Sequence, residues 1–197
     1  MKKTIRFFSF IPLSLILFGF LFSGINCGRQ IAPEELKASM ELQDIDTRWE
    51  KKYYQPWPPK LILVPTISFK VKNTGEEPLS YVYFNAIFTQ VGEKENLGDS
   101  FLAGIHGQPL LPGETSEEII LKSNFGVEGD NVDHFKNNPE WKTVEVEIFA
   151  KSKGSQYILI DEYTVSKKIN FEEPEPVGME EDEEKKKDDT KKKDREK

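Results

Sequence analysis

The chain of 197 residues contains a single cysteine and only two histidines. One thiol cannot form a disulfide within its own chain. His106 and His134 fall in different predicted loops, and neither has the spaced companion ligands that a metal site needs. The sequence also lacks a G-x-S-x-G nucleophile turn and a glycine-rich phosphate loop. These absences predict a protein that is not an enzyme and that holds no metal and no cofactor.

Positive charge is scarcer than negative charge. The formal net charge is −7 at pH 7, because 34 acidic residues outnumber 27 basic ones. An acidic chain is repelled by the phosphate backbones of DNA and RNA, to which proteins bind mainly through lysine and arginine. We therefore expect no nucleic-acid partner.

Long apolar runs are scarce as well, and the one that stands out covers residues 7–22 near the N-terminus. Three basic residues precede it: Lys2, Lys3 and Arg6. A positively charged N-terminus, an apolar run and small residues before the cleavage site are typical of a bacterial export signal. The alternative is a retained transmembrane helix over residues 7–25, a stretch just long enough to cross a bilayer core of about 30 Å. Because Cys27 follows this stretch so closely, we favour a cleaved signal peptide over residues 1–26.

Residues 22–27 read FSGINC and resemble the lipobox of bacterial lipoproteins, especially the looser lipoboxes of spirochaetes. Gly24 and Asn26 stand where the usual pattern has Leu and Gly or Ala. The resemblance implies that the Cys27 thiol carries a diacylglyceryl group, that cleavage precedes Cys27, and that the new amino group is acylated. One acyl chain gives only reversible membrane binding, whereas two or three make attachment effectively permanent.

Gly28 follows the cysteine. Lipoproteins retained in the inner membrane of enteric bacteria have an acidic residue there, so the resemblance implies sorting to the outer membrane. It leaves open whether the domain faces the periplasm or the outside of the cell. We therefore expect an exported protein that is held at a membrane by acyl chains, such as palmitate, on Cys27.

Composition divides the rest of the chain into three parts. Residues 27–38 predict a lipidated tether, in which Pro33 and the two acids after it favour the start of a helix. Residues 39–171 predict the folded domain. Residues 172–197 consist mainly of charged side chains with almost nothing apolar, so they predict a disordered charged tail. The alternative for the tail is a partner site that acts through charge.

The start of the domain, residues 39–53, fits two patterns. One helical face would collect its apolar side chains: Ala38, Leu42, Ile45, Trp49 and Tyr53. Alternatively, Met40 and Leu42, followed by Ile45, Thr47 and Trp49, alternate as a strand with a bulge near Gln43-Asp44. Because the rest of the domain favours β-structure, we expect a strand.

Alternation of apolar and polar residues predicts six or seven strands in the domain. It is clearest in residues 66–73, where Ile67, Phe69 and Val71 share one face. The other predicted strands cover residues 79–91, 100–105, 115–122, 143–150 and 157–169. Two antiparallel sheets packed face to face satisfy this pattern. The sequence therefore predicts an all-β fold, an antiparallel β-sandwich.

Two turns in this region carry a second resemblance. Asn73-Thr74-Gly75 with Leu79 after it, and Leu111-Pro112-Gly113-Glu114, resemble the FxLYD-type and related immunoglobulin-like domains of bacterial lipoproteins. The resemblance covers residues 61–122 and implies an immunoglobulin-like sandwich without catalytic residues. The aromatic-aspartate signature of that family is absent, because Thr89-Gln90 follow Phe88.

The first candidate interaction site is QPWPP, residues 55–59. Three prolines in five positions predict an extended, polyproline-like connection between the two sheets. Tyr54 and Trp57 would then cover an edge of the core. The alternative is that these two aromatic side chains form a binding site.

The second candidate is the stretch 126–140, which has almost no apolar periodicity. It predicts a long acidic surface loop, and long loops are often functional. Asp130 and Asp133 are its candidate interaction residues. A calcium site is the alternative, although the spacing of the oxygen ligands does not match a twelve-residue calcium loop.

These features predict a lipid-anchored envelope protein whose β-sandwich binds a protein partner through its loops and sheet edges. The alternative is a structural or accessory subunit of a periplasmic envelope complex. Copurification with one fixed partner would favour the accessory subunit over a surface binder.

Overall fold

The computed structural model describes residues 31–174. The expected signal peptide, Cys27 and residues 175–197 of the expected tail lie outside this range. In chain order the elements are α1 Pro33–Ala38, β1 Met40–Gln55, β2 Lys60–Asn73, β3 Val82–Gln90, β4 Asn96–Ile105, β5 Ile119–Lys122, β6 Val127–Gly129, α2 Val132–Lys136, β7 Val144–Ser152, β8 Ile158–Thr164 and β9 Ile169–Asn170. Neither helix is long and apolar enough to cross a membrane.

The strands form two sheets. In the first sheet the order is β5-β2-β1-β9, and β6 pairs with β2 beyond the end of β5. In the second sheet the order is β4-β3-β7-β8. Every pairing is antiparallel except the short parallel contact between β9 and β1. The predicted all-β sandwich is confirmed.

The two sheets pack together through the apolar faces that alternation predicts. On β3 the fully buried positions are Val82, Phe84, Ala86 and Phe88, and on β7 they are Val144, Val146, Ile148 and Ala150. Phe69 of β2 meets Phe84 of β3 edge to face, with 5.4 Å between ring centroids. Such ring pairs add to the stabilisation that comes from apolar burial alone.

The strand interpretation of residues 39–53 is confirmed. β1 pairs with β2 along its whole length, and the register shifts between Gln43 and Asp46. Asp44 lies in this bulge with a φ of 53°, a left-handed conformation that aspartate tolerates better than most residues. Because the bulge resets the pleat, it explains why the apolar residues of β1 do not follow one uninterrupted strand period and also fit a helical face.

The expected tether over residues 27–38 is partly folded. α1 contacts β7 and β8, and Leu36 is completely buried. Lys37 donates a hydrogen bond from Nζ to the carbonyl oxygen of Leu159 over 2.7 Å. The hydroxyl of Ser152 lies 3.3 Å from the carbonyl oxygen of Ile31, to which it donates. The packed domain therefore begins before residue 39.

The two connections that leave β2 and β4 for the opposite sheet meet at Asn73, which is fully buried. Its side-chain Nδ2 donates to the carbonyl oxygens of Glu77 and Leu110, each over 2.9 Å. Its Oδ1 accepts from the backbone N–H of Gly75 over 2.9 Å. Leu79 and Leu110 exchange a pair of backbone hydrogen bonds beside it. One amide side chain therefore ties residues 74–81 to residues 106–118.

Replacing this amide should weaken the whole sandwich. Asn73→Ala should lower the free energy of unfolding by about 2–3 kcal/mol, since it removes three hydrogen bonds and leaves buried backbone groups without partners. Thr74→Ala, at the exposed neighbouring position, is the control and should change stability by less than ~0.5 kcal/mol. Chemical denaturation measures both. Equal stability of the two variants would show that Asn73 does not fasten the crossings.

Candidate functional site

The two candidate interaction segments lie at the same end of the domain. We name this end the tip and define it as the β1–β2 hairpin, residues 55–60, together with residues 126–140. β6, in the second segment, pairs with the first residues of β2. Lys60 and Glu128 also form an ion pair, with 2.8 Å between Nζ and Oε2. Ile31, where the described chain begins, lies at the other end, beside the β7–β8 hairpin.

The prediction that QPWPP crosses between the sheets is wrong. Gln55 pairs with Lys60, so the chain reverses within the first sheet and QPWPP forms a hairpin turn. The prolines fall at turn positions, where no ladder hydrogen bond is required of them. The Trp57–Pro58 peptide bond is cis. Side-chain Nε2 of Gln55 donates to the carbonyl oxygen of Trp57 over 3.1 Å, inside the turn.

The aromatic side chains Tyr54 and Trp57 have different surroundings. Tyr54 is half-buried and packs on Phe171, with 5.3 Å between the ring centroids. Trp57 is 85% exposed, so it does not cover an edge of the core. The hairpin therefore presents one large aromatic side chain to solvent and uses the other for packing.

The prediction of an irregular loop over residues 126–140 is also wrong. The segment contains β6 and α2, and Phe135 of α2 is completely buried. A Cβ added at Gly129 would lie 2.9 Å from the Phe135 ring, so glycine allows the close approach of helix and strand. Phe135 also meets Trp141 edge to face at 5.9 Å. A single helical turn offers too few apolar positions to show a period, which is why alternation missed it.

Two acidic residues of the segment, Asp130 and Asp133, lie around the N-terminus of α2. Asn131 caps the helix, since its Oδ1 accepts from the backbone N–H of His134 over 2.8 Å. Asp130 Oδ2 lies 3.2 Å from His134 Nδ1. Asp130 and Asp133 are both exposed. Packing through Phe135 therefore holds two carboxylates on the surface of the tip.

Among residues 31–174, no three histidine, cysteine, aspartate or glutamate side chains converge as they would around a metal ion. His106 lies in the turn after β4, apart from His134. The described residues of the tip combine an exposed indole with charged side chains.

The outer face of the first sheet carries a charged network that alternation alone did not reveal. Arg48 pairs with Asp46 and with Glu50, each over 2.7 Å, and its guanidinium also donates to Ser68 Oγ over 3.0 Å. Lys122 forms a further ion pair with Glu50. Glu50 and Arg48 side chains are each only 13% exposed. The signal in the sequence was the run of opposite charges on one face of β1, at positions 46, 48 and 50.

These ion pairs change the acid–base behaviour of Glu50. Burial opposes ionisation, but hydrogen bonds and charges from Lys122 and Arg48 outweigh it, so the pKa of Glu50 lies below its usual value of 4.5. Arg48 is stabilised in its charged form in turn, since Asp46 and Glu50 outweigh the effect of burial and raise its pKa.

No protein-family model and no curated protein matches the chain. Solved structures with a similar course of the chain include a putative ApaA protein from Bordetella pertussis, with 17% identity, 65% of this chain and 93% of that chain covered, and a TM-score of 0.35. A structural genomics target has 12% identity, 72% and 98% coverage, and a TM-score of 0.40. A protein from Archaeoglobus fulgidus has 10% identity, 64% and 98% coverage, and a TM-score of 0.30. Likenesses this distant lead to no functional conclusion.

The Glu50 network should make stability depend on pH. A carboxylate whose pKa is lowered by folding contributes stability above its usual pKa of 4.5, and this contribution is lost as the pH falls through the lowered value. As the pH falls from neutral to acidic, the free energy of unfolding of Glu50→Gln should therefore decrease less than that of the unaltered protein. Denaturant titrations across that pH range provide the measurement, with Glu76→Gln in the exposed turn after β2 as control. If the stability of Glu50→Gln depends on pH just as that of the unaltered protein does, the Glu50 ion pairs are not the cause of this dependence.

Proposed function

We propose that the protein is a bacterial envelope lipoprotein whose β-sandwich is a protein-interaction module that binds its partner at the tip. The observation that carries the proposal is the 85% exposure of Trp57 on a hairpin at the opposite end of the domain from Ile31. A chain anchored through its N-terminus would present such a tip away from the membrane. The lipobox-like sequence FSGINC supports the anchor.

Chain length ties the anchor to one end of the domain. Only residues 28–30 separate Cys27 from Ile31, and an extended chain spans at most about 3.5 Å per residue. Acyl chains on Cys27 would therefore keep the Ile31 end close to the bilayer. Because two or more chains make attachment effectively permanent, the domain needs no further membrane segment to remain there.

We assign the sandwich to the immunoglobulin-like, FxLYD-type domains. The assignment is supported by the two turns that carry the resemblance, since both take part in one hydrogen-bonded unit. The backbone N–H of Gly113 donates to the carbonyl oxygen of Asn73 over 2.8 Å, and the N–H of Asn73 donates to Glu114 over 2.9 Å. Turns that depend on each other in this way hold the connections between the two sheets in place.

The tip has the composition of a protein-binding surface. Binding energy in such surfaces concentrates in a few residues, among which tryptophan is enriched, and a polar rim surrounds them. Trp57 supplies the aromatic anchor, while Lys60, Glu128, Asp130 and Asp133 supply the charged rim. Packing of Phe135 orders the rim before binding, which lowers the entropic cost of association.

We infer that the protein binds a partner and does not catalyse a reaction. We also infer that it is located at the outer membrane. A partner in the periplasm and a partner outside the cell both suit this geometry. Mild trypsin treatment of intact cells decides between them, because the lysine-rich tail after residue 174 offers cleavage sites. Loss of the tail from intact cells places the domain outside, and survival until the outer membrane is broken places it in the periplasm.

Removing the lipid site should release the protein from the membrane. Cys27→Ala should move the chain from the detergent phase to the aqueous phase on phase partitioning, because the acyl chains are lost. The melting temperature of the domain should not change, since the described core begins at Leu36. Cys27→Ala that stays in the detergent phase would favour a retained helix over residues 7–25.

Truncating the exposed indole should weaken partner binding. Removal of a central aromatic anchor typically costs 2 kcal/mol or more, so Trp57→Ser should weaken binding by about thirtyfold. The matched control is Leu111→Ser, at an apolar position that is 49% exposed in a turn at the opposite end. Crosslinking from positions 57 and 111 in intact cells, followed by affinity measurement with the captured partner, tests this. A partner that crosslinks at 111 and tolerates Trp57→Ser would contradict binding at the tip.

A further inference from the structure

The outer face of the second sheet carries a cluster of aromatic and lysine side chains that the functional site does not use. We name it the aromatic–lysine patch, and its members are Tyr81, Tyr83, Phe101, Lys151, Lys153 and Tyr157. Phe101 is 58% exposed, Tyr81 48% and Tyr157 39%. Apolar groups of this size are usually covered in a soluble domain, so the exposed cluster marks a contact surface.

The patch is an ordered surface, because its rings and cations touch one another. The rings of Tyr83 and Phe101 are nearly parallel, at 8°, with their centroids 5.8 Å apart. The Lys151 ammonium lies 4.6 Å from the Tyr157 ring centroid and 6.0 Å from that of Tyr83. Lys153, in the β7–β8 hairpin, lies 5.4 Å from the Tyr81 ring centroid. Aromatic faces and ammonium groups therefore alternate across it.

The patch lies beside the point where the described chain begins. Ser152, between the two lysines of the patch, donates its hydroxyl to the carbonyl oxygen of Ile31. Cys27 precedes Ile31 by only a few residues, so acyl chains on Cys27 would bring the patch close to a bilayer surface.

Charge along the same face changes sign. Tyr83 pairs with Lys151 near one end of β7, whereas Thr89 pairs with Glu145 near the other end. At that other end Glu145, Glu147 and Glu162 line a trough of ≈ 350 Å³. An anionic surface would attract the lysine end and repel the glutamate end, which tilts the sheet and moves the tip away from the surface.

We propose that the aromatic–lysine patch docks the domain onto the anionic headgroup region of the membrane that holds its N-terminus. The inference rests on the membrane anchoring proposed above. Tyrosine and phenylalanine suit the boundary between acyl chains and headgroups, where a ring is half in apolar and half in polar surroundings. Lysine stems lie along the apolar layer while the ammonium groups reach lipid phosphates. Docking converts a flexible attachment into a fixed orientation of the tip.

The test uses the full-length protein reconstituted into phosphatidylcholine vesicles with and without phosphatidylglycerol. An amine-reactive reagent labels lysines, and mass spectrometry reports the labelling rate of each. Lys151 should be labelled more slowly by about fivefold on anionic vesicles than on neutral ones, and high salt should abolish the difference. Exposed Lys94, in the β3–β4 turn, is the internal control and should be labelled equally on both.

A matched pair of variants separates docking from general shielding. Phe101→Ser should abolish the protection of Lys151, whereas Trp57→Ser removes an exposed aromatic residue at the tip and should leave the protection intact. Equal labelling of Lys151 on both kinds of vesicle would overturn the proposal. Protection that requires an added envelope protein or polysaccharide would overturn it as well, and would assign the patch to that partner.

The mass of the Cys27 peptide, measured in the same sample, separates this proposal from the proposed anchor. A Cys27 peptide that carries no acyl groups and is still joined to residues 7–25 contradicts lipidation alone. The vesicle comparison remains valid in that case, because uncleaved residues 7–25 would still hold the N-terminus in the bilayer.

Discussion

The sandwich depends on how its chain passes from one sheet to the other, and the buried amide of Asn73 fastens two of these passages. A buried side-chain amide without partners would be costly, so its hydrogen bonds to Glu77, Leu110 and Gly75 leave little freedom to the connections that contain them. With those connections fixed, β3 lies over β2, and Phe69 meets Phe84 in the core. The turns at this end therefore hold the two sheets in their relative position.

Much of the fold could be predicted from the sequence because alternation directly reflects burial. On β3 and β7 every second side chain faces the core, so the strands and their inward faces were evident. Where the chain departs from simple alternation, prediction needed long-range information. QPWPP appeared extended because proline geometry is local, whereas the pairing of Gln55 with Lys60 depends on sixteen-residue β1 folding back along β2. The α2 turn depends on a pocket for Phe135 that only the assembled tip provides.

The candidate site was predictable in location and less so in form. Trp57, Asp130 and Asp133 were named from composition, and all three are exposed at the tip. Tyr54 packs on Phe171, which lies more than a hundred residues away and gave no local signal. The aromatic–lysine patch was missed because Tyr83 and Phe101 occupy outward-facing positions of their strands, and Tyr81 and Tyr157 lie in the turns just before β3 and β8. Alternation assigns Val82 and Phe84 to the core, and it assigns Tyr83 between them to the solvent-facing side without indicating a cluster there.

In the proposed arrangement, one end of the domain is held at a membrane and the other end is presented to a partner. Quenching of Trp57 fluorescence by brominated lipids, in the reconstituted full-length protein, tests this arrangement most directly. Subtracting the signal of Trp57→Phe removes the contribution of Trp49 and Trp141, which are buried. The account predicts no quenching of Trp57, together with clear quenching of a tryptophan placed at position 101. Strong quenching of Trp57 would contradict it, because the tip would then lie in the membrane.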